Sequence, residues 1–145
     1  ARFIDSPPRS RNEALASMMR RFRICEERGS GIDKVVFEVE LFQLPAPLFE
    51  AANGSTRAVL YAHKELRDME KSDRVRACYL HACLCYVTND KMTNTTLRKR
   101  FGISGQNASA ASRLLNEAVD AGVIAIQDAT VGTRSRRYLP FWAVV

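Results

Sequence analysis

Apolar residues recur along this chain at helical spacing in four places and at strand spacing in two, and the order of these patterns predicts its elements. An irregular opening holds Pro7 and Pro8, which forbid regular helix there. Ser10 with Glu13 three residues on reads as a capping box, so a helix is predicted from Arg11, with Leu15, Met18, Met19 and Phe22 as its buried face. A second helix carries Ile32, Val35, Val36, Val39 and Phe42 at the same period and should stop at Leu44, because Pro45 and Pro47 force extended chain. Two strand-like runs then flank Asn53-Gly54, a pair favoured in tight type I′ hairpins. Residues 63–71, HKELRDMEK, are densely charged and interrupt the pattern. Ser72 is the predicted cap of a long helix with Val75, Cys78, Tyr79, Ala82 and Tyr86 on one side and Leu80, Cys83 and Val87 on another, which implies burial on several sides.

Residues 91–142 are the most tightly patterned. Thr93 or Asn94 can cap a short helix, and Gly102 after Phe101 can end it in the left-handed conformation. A second helix, over 106–121, starts from Ser104 or Asn107 and repeats Ala108, Ala111, Leu115 and Ala118, widened by Leu114 and Val119. Gly122 ends it. Val123 to Gln127 reads as a strand, DATVGTRS as a polar loop, and RRYLPFWA as the returning strand. Two short helices around a glycine turn, followed by a hairpin, are the elements of a winged helix-turn-helix, with the loop 128–137 as its wing. The predicted fold class is therefore α+β: a small helix and hairpin unit over 1–64, then a winged helix-turn-helix over 65–145.

Charge singles out the same stretch. Between residues 91 and 140 there are eight basic residues against Glu117, Asp120 and Asp128, a net +5 of the formal +6 of the whole chain. A polyphosphate partner fits such a concentration, because each neutralised phosphate releases condensed counterion. The candidate DNA contacts are Thr95 and Arg98 on the first short helix and Gln106, Asn107, Ser109, Ser112 and Arg113 on the second, opposite its apolar stripe. Arg134, Arg136 and Arg137 are the candidates in the wing. The competing reading is an oligomerisation or interdomain signalling module that never touches DNA.

Other chemistry is sparse. Gly29, Ser30 and Gly31 stand before the second helix, where backbone N–H groups can hold a phosphate, yet two glycines there more often mark a turn that needs positive φ. Glu26 and Glu27 are explained by a helix dipole without catalysis. Cys78, Cys83 and Cys85 share one predicted helix at spacings that do not bridge, and Cys25 is alone, so free thiols in a reducing compartment are expected. No metal site is expected, since the C-x-C pair has no second pair and His81 is predicted on a different face. Neither His81 nor His63 belongs to a nucleophile motif, so no catalytic residue is assigned. No apolar run approaches the roughly 20 residues of a membrane span and the start lacks a signal-peptide pattern, so a cytoplasmic protein without membrane contact is expected.

SRNEALA followed by EERGSGI, then RACYLHACLCYVTNDKMTNTTLRKRFGI and the ending SRRYLPFWA, resembles the C-terminal half of bacterial ATP-binding transcriptional regulators of the Schlafen-AlbA type, often labelled RecG-like helicase-related proteins. The likeness is most specific in residues 74–103 and 134–143. It implies that 1–64 is the C-terminal part of a domain resembling the histidine-kinase type ATPases and that 65–145 binds DNA. In that family the Asn-bearing helix that holds the metal and the base-reading box precede the SRN helix, and neither is present in these residues; only Gly29 to Ile32 matches the later Gly loop. There is no Walker lysine motif either. The chain thus reads as a piece of a DNA-binding transcriptional regulator: not an enzyme by itself, without a cofactor of its own, with ATP bound by the longer protein, duplex DNA as partner and a homodimer as the expected assembly.

Overall fold

A computed structural model describes residues 4–7, 9–25 and 30–144, Ser30 by its backbone alone. Among these the chain is α+β, with helices α1 (Glu13–Arg21) and α2 (Ser30–Leu41), a hairpin of β1 (Leu48–Ala52) and β2 (Ser55–Val59), helices α3 (Lys71–Val87), α4 (Asn94–Arg100) and α5 (Ala108–Asp120), and a second hairpin of β3 (Ile124–Ile126) and β4 (Tyr138–Pro140). The first hairpin turns as its sequence predicts, with Asn53 and Gly54 at φ of 47° and 81°.

α1 departs from expectation. Its cap is Asn12, whose side chain accepts from the Leu15 N–H, while the Ser10 hydroxyl donates to the Glu13 carboxylate instead of accepting from a backbone N–H; the helix starts at Glu13, not Arg11. None of its residues is buried, and Leu15, Met18 and Phe22 are at least half exposed, because no other described element covers that face. α2 buries Val36 and Val39 as predicted but leaves Phe42 exposed. It ends at Leu41, before the prolines: Gln43 takes a φ of 52° and Leu44 N–H donates to Val39 O, a left-handed cap made without glycine.

α3 is the centre of the core. It buries Ala77, Cys78, Tyr79, Leu80, Ala82, Cys83 and Cys85, and α5, α4, β4 and α2 all pack on it. Its cap position is Glu70; Ser72 lies inside the first turn. Val36 and Ala46 from the first part of the chain join Leu97, Leu115 and Ile124 from the second in one apolar cluster, so core continuity runs across the charged stretch at 63–71. β3 and β4 are shorter than predicted. After Pro140 the chain turns at Phe141–Ala143, where Phe141 stacks on Tyr79 at 5.9 Å and Trp142 donates to the Tyr79 hydroxyl at 3.1 Å.

Polar groups bind the two parts as well. Arg76 donates to Ala46 O at 3.3 Å. Arg100, the last residue of α4, is only 5% exposed; its Nη2 donates to Leu44 O at 2.6 Å and its Nε lies 2.8 Å from Glu40 Oε2 near the end of α2. That N–H is not aimed at the oxygen, so the contact is ionic rather than a well-formed hydrogen bond. His81 Nδ1 reaches the same oxygen at 2.9 Å, and its Nε2 lies 3.6 Å from Cys85 Sγ. His81 therefore shares a helix face with Cys85, four residues on, contrary to the predicted separation. No group of three or more His, Cys, Asp or Glu that could hold a metal occurs among the described residues.

Burial alone favours the neutral imidazole, but Cys85 and the Glu40 carboxylate on its two sides outweigh it and push the His81 pKa up from 6.5 to about 9. Since the folded value is the higher one, the stabilisation is complete below pH 6.5 and is lost as pH rises through 9. Urea unfolding between pH 6.5 and 9.5 should show the parent losing on the order of a few kcal/mol relative to His81→Gln; parallel curves would refute a charged His81. In the same assay Glu40→Gln, which strands Arg100, should cost about 3–5 kcal/mol, and Glu40→Leu with Arg100→Met should cost less than either single change. Additive losses would mean that the pair is not coupled.

Candidate nucleic-acid interface

The interface candidates on α4 are ordered by its cap. Thr93 Oγ1 accepts from the Thr96 N–H at 3.2 Å and Thr96 Oγ1 accepts from the Thr93 N–H at 2.9 Å, a reciprocal box made by two threonines. Asn94 is thereby released from capping. Its Nδ2 donates to Ser112 Oγ at 3.0 Å and to Ala108 O at 3.2 Å, while its Oδ1 accepts from Arg98 Nε at 3.0 Å. Arg98 Nη2 also donates to Thr95 Oγ1 at 3.4 Å. One network therefore joins Thr95 and Arg98 on α4 to Ser112 on α5, candidates that sequence spacing leaves on two separate helices. The sequence reading names Asn94 only as a possible cap and misses that it positions two of the candidates; recognising Thr93 and Thr96 as the box would have freed it.

Gly102 closes α4 with a φ of 61°, and Ile103 N–H donates to Arg98 O, fixing the exit of the turn. The following helix does not begin at residue 106. Gly105–Asn107 forms a 3-10 turn, since Asn107 N–H bonds to Ser104 O, and α5 starts at Ala108 without a side-chain cap from Asn107. Ala111, Leu114, Leu115 and Ala118 are buried as predicted. Gln106, Asn107, Ser109, Ser112 and Arg113 are all exposed, although Ser112 also donates back to Ala108 O at 3.3 Å and so is held close to the helix.

The second hairpin is registered by Ile124↔Pro140 and Ile126↔Tyr138, and Met92 bridges to Tyr138, which ties the segment before α4 to the strand. In the loop, Asp128 Oδ1 accepts from the hydroxyl and the N–H of Thr130, which holds its carboxyl below the usual range. Arg134 and Arg137 are exposed. Arg136 is half-buried and bends back to Val131 O at 3.4 Å, so it braces the loop rather than standing free. Arg100 is likewise withdrawn from the predicted basic surface by Glu40.

Of the nucleotide candidates the structure describes only Gly31 and the backbone of Ser30. Gly29, with Glu26 and Glu27, lies outside the described residues; Ser30 opens α2 by its backbone, and Gly31 sits in the first helical turn, exposed and not at positive φ. Gly31 is thus a helical residue, not the turn glycine expected. No helix among the described residues is long and apolar enough to cross a membrane.

Comparison with known proteins bears on the first part of the chain. Residues 1–60, less than half of it, match the family model described as "Putative ATP-dependent DNA helicase recG C-terminal". No curated protein and no solved structure matches the chain. The likeness, to a RecG-like and ATPase-related family, covers the segment that contains α1, α2 and the first hairpin.

Proposed function

We propose that residues 65–145 are a winged helix that binds duplex DNA, in a transcriptional regulator whose residues 1–64 end a nucleotide-binding-like domain. The observation that carries the reading is the exposed face shared by α4 and α5. Thr95, Ser109, Ser112 and Arg113 are exposed on these helices with half-buried Arg98 among them, and Asn94 orients Arg98 and Ser112. The Met92 to Tyr138 bridge supports it, since it joins the hairpin to the helices as a small three-stranded wing requires. Arg134 and Arg137 then follow the phosphate backbone while α5 enters the major groove. ATP belongs to the longer protein, and a two-fold dimer suits paired half-sites.

A second reading, an interdomain signalling module without DNA contact, draws on the buried Glu40–Arg100–His81 cluster that joins the ATPase-related segment to the helical one. DNA binding by variants separates the two. Arg137→Ala should weaken selected and random duplexes alike and lower the salt slope by about one unit. Arg113→Ala should cost about 1–3 kcal/mol on a site selected from random duplexes and little on random sequence. If both variants bind as the parent does at low salt, the surface does not contact DNA and the signalling reading replaces this one.

A further inference from the structure

Beside the α4–α5 turn lies a recess of about 780 Å³ that the contacts described so far leave unused. One wall is the turn and the flank of α5; the other is the charged stretch from His63 to Met69, with Arg74 reaching in from α3. Its size falls within the range of small-molecule sites, roughly 300–1,000 Å³.

Its chemistry is uneven in an informative way. Of the lining charges, Arg67 is paired to Glu65 at 2.9 Å, and Arg100 is held by Glu40. Lys64, Arg74 and Arg113 make no side-chain hydrogen bond or ion pair with any described residue, against a single unpaired acid, Glu117. Leu66, Phe101 and Ile103 supply apolar surface in the same recess. Cations alone suit a phosphate chain. Cations set around an apolar wall suit an anion with an apolar body, because both kinds of surface are then used.

Arg113 links the recess to the outward face of α5. Successive residues step round the helix by about 100°, which puts Asn107, Ala110, Leu114 and Glu117 on the recess flank, Ser109 and Ser112 on the outward face, and Arg113 at their border. We propose that the recess binds a small organic polyanion, carboxylate or phosphate groups on an apolar body, and that its occupancy competes with duplex DNA for Arg113. The competition rests on the DNA-binding reading above; the site itself does not.

The test uses the whole chain with three probes at matched ionic strength: inorganic phosphate, citrate and 1-naphthyl phosphate. Calorimetry should show 1-naphthyl phosphate binding about tenfold or more tightly than inorganic phosphate, and both Arg74→Ala and the exposed Lys64→Ala should weaken it by about tenfold. Those two variants should leave duplex binding unchanged, Arg113→Ala should weaken probe and duplex, and Arg137→Ala the duplex alone. Saturating 1-naphthyl phosphate should displace a bound duplex. Failure of all three probes to bind at millimolar concentration overturns the site. So does a loss of random-duplex affinity in Arg74→Ala equal to that in Arg137→Ala, which would make the recess part of the phosphate path. If the parent binds no duplex while the probe results hold, the DNA reading fails and the site stands without the competition.

Discussion

A guanidinium and a carboxylate buried to 5% and 8% exposure cannot be left singly in an apolar interior, so the position of Arg100 is dictated by that of Glu40. The pair stands at the end of α2 on one side and the end of α4 on the other, one residue before the turn that leads into α5. Arg100 also binds Leu44 O, the carbonyl just beyond the left-handed cap of α2. Two helix ends are thus joined by one side chain. A buried ion pair adds little net stability against an apolar replacement, but it penalises every other docking of α2 on the helices, which is a contribution to specificity. His81 extends the cluster toward Cys85, making the joint sensitive to proton concentration.

Much of the fold is legible in the sequence where the signal is local. Asn53-Gly54, the glycines that end α4 and α5, and the apolar stripe of α5 each state a backbone conformation or a face within a few residues, and the structure agrees. Signals that need a partner are not legible in this way. The apolar spacing of α1 predicts a helix correctly but cannot say what covers it, and among the described residues nothing does. Glu40 and Arg100 are sixty positions apart, and no pattern in either neighbourhood marks them as a pair; Arg100 reads from sequence as one more surface cation. The bond from Arg136 to Val131 O is illegible for the same reason, since it depends on the loop's path. The 3-10 turn at Gly105–Asn107 shows how weak helix formers and an absent cap blur a boundary that periodicity alone draws too early.

The surface of α5 divides by what surrounds it. One face fills the core against α3, a second carries short polar side chains outward, and a third flanks the recess beside the charged stretch. The division follows from the helical repeat and from which elements reach each side. Asn94 stiffens the outward face by tying α4 to Ser112, so the two helices present their candidate contacts as one body. Preordering of this kind lowers the entropy lost when a side chain meets a base edge or phosphate.

Whether that face meets DNA is decided most directly by following backbone amides of the isotope-labelled chain while a duplex is added. If α4, α5 and the second hairpin form the interface, the largest shifts will fall on Thr95, Arg98, Gln106 to Arg113 and Arg134 to Arg137, and α1 and the first hairpin will stay unchanged. Shifts confined to α1 and α2, or none at duplex concentrations where nonspecific binding is expected, about 10–100 μM at moderate salt, would contradict a DNA-binding winged helix.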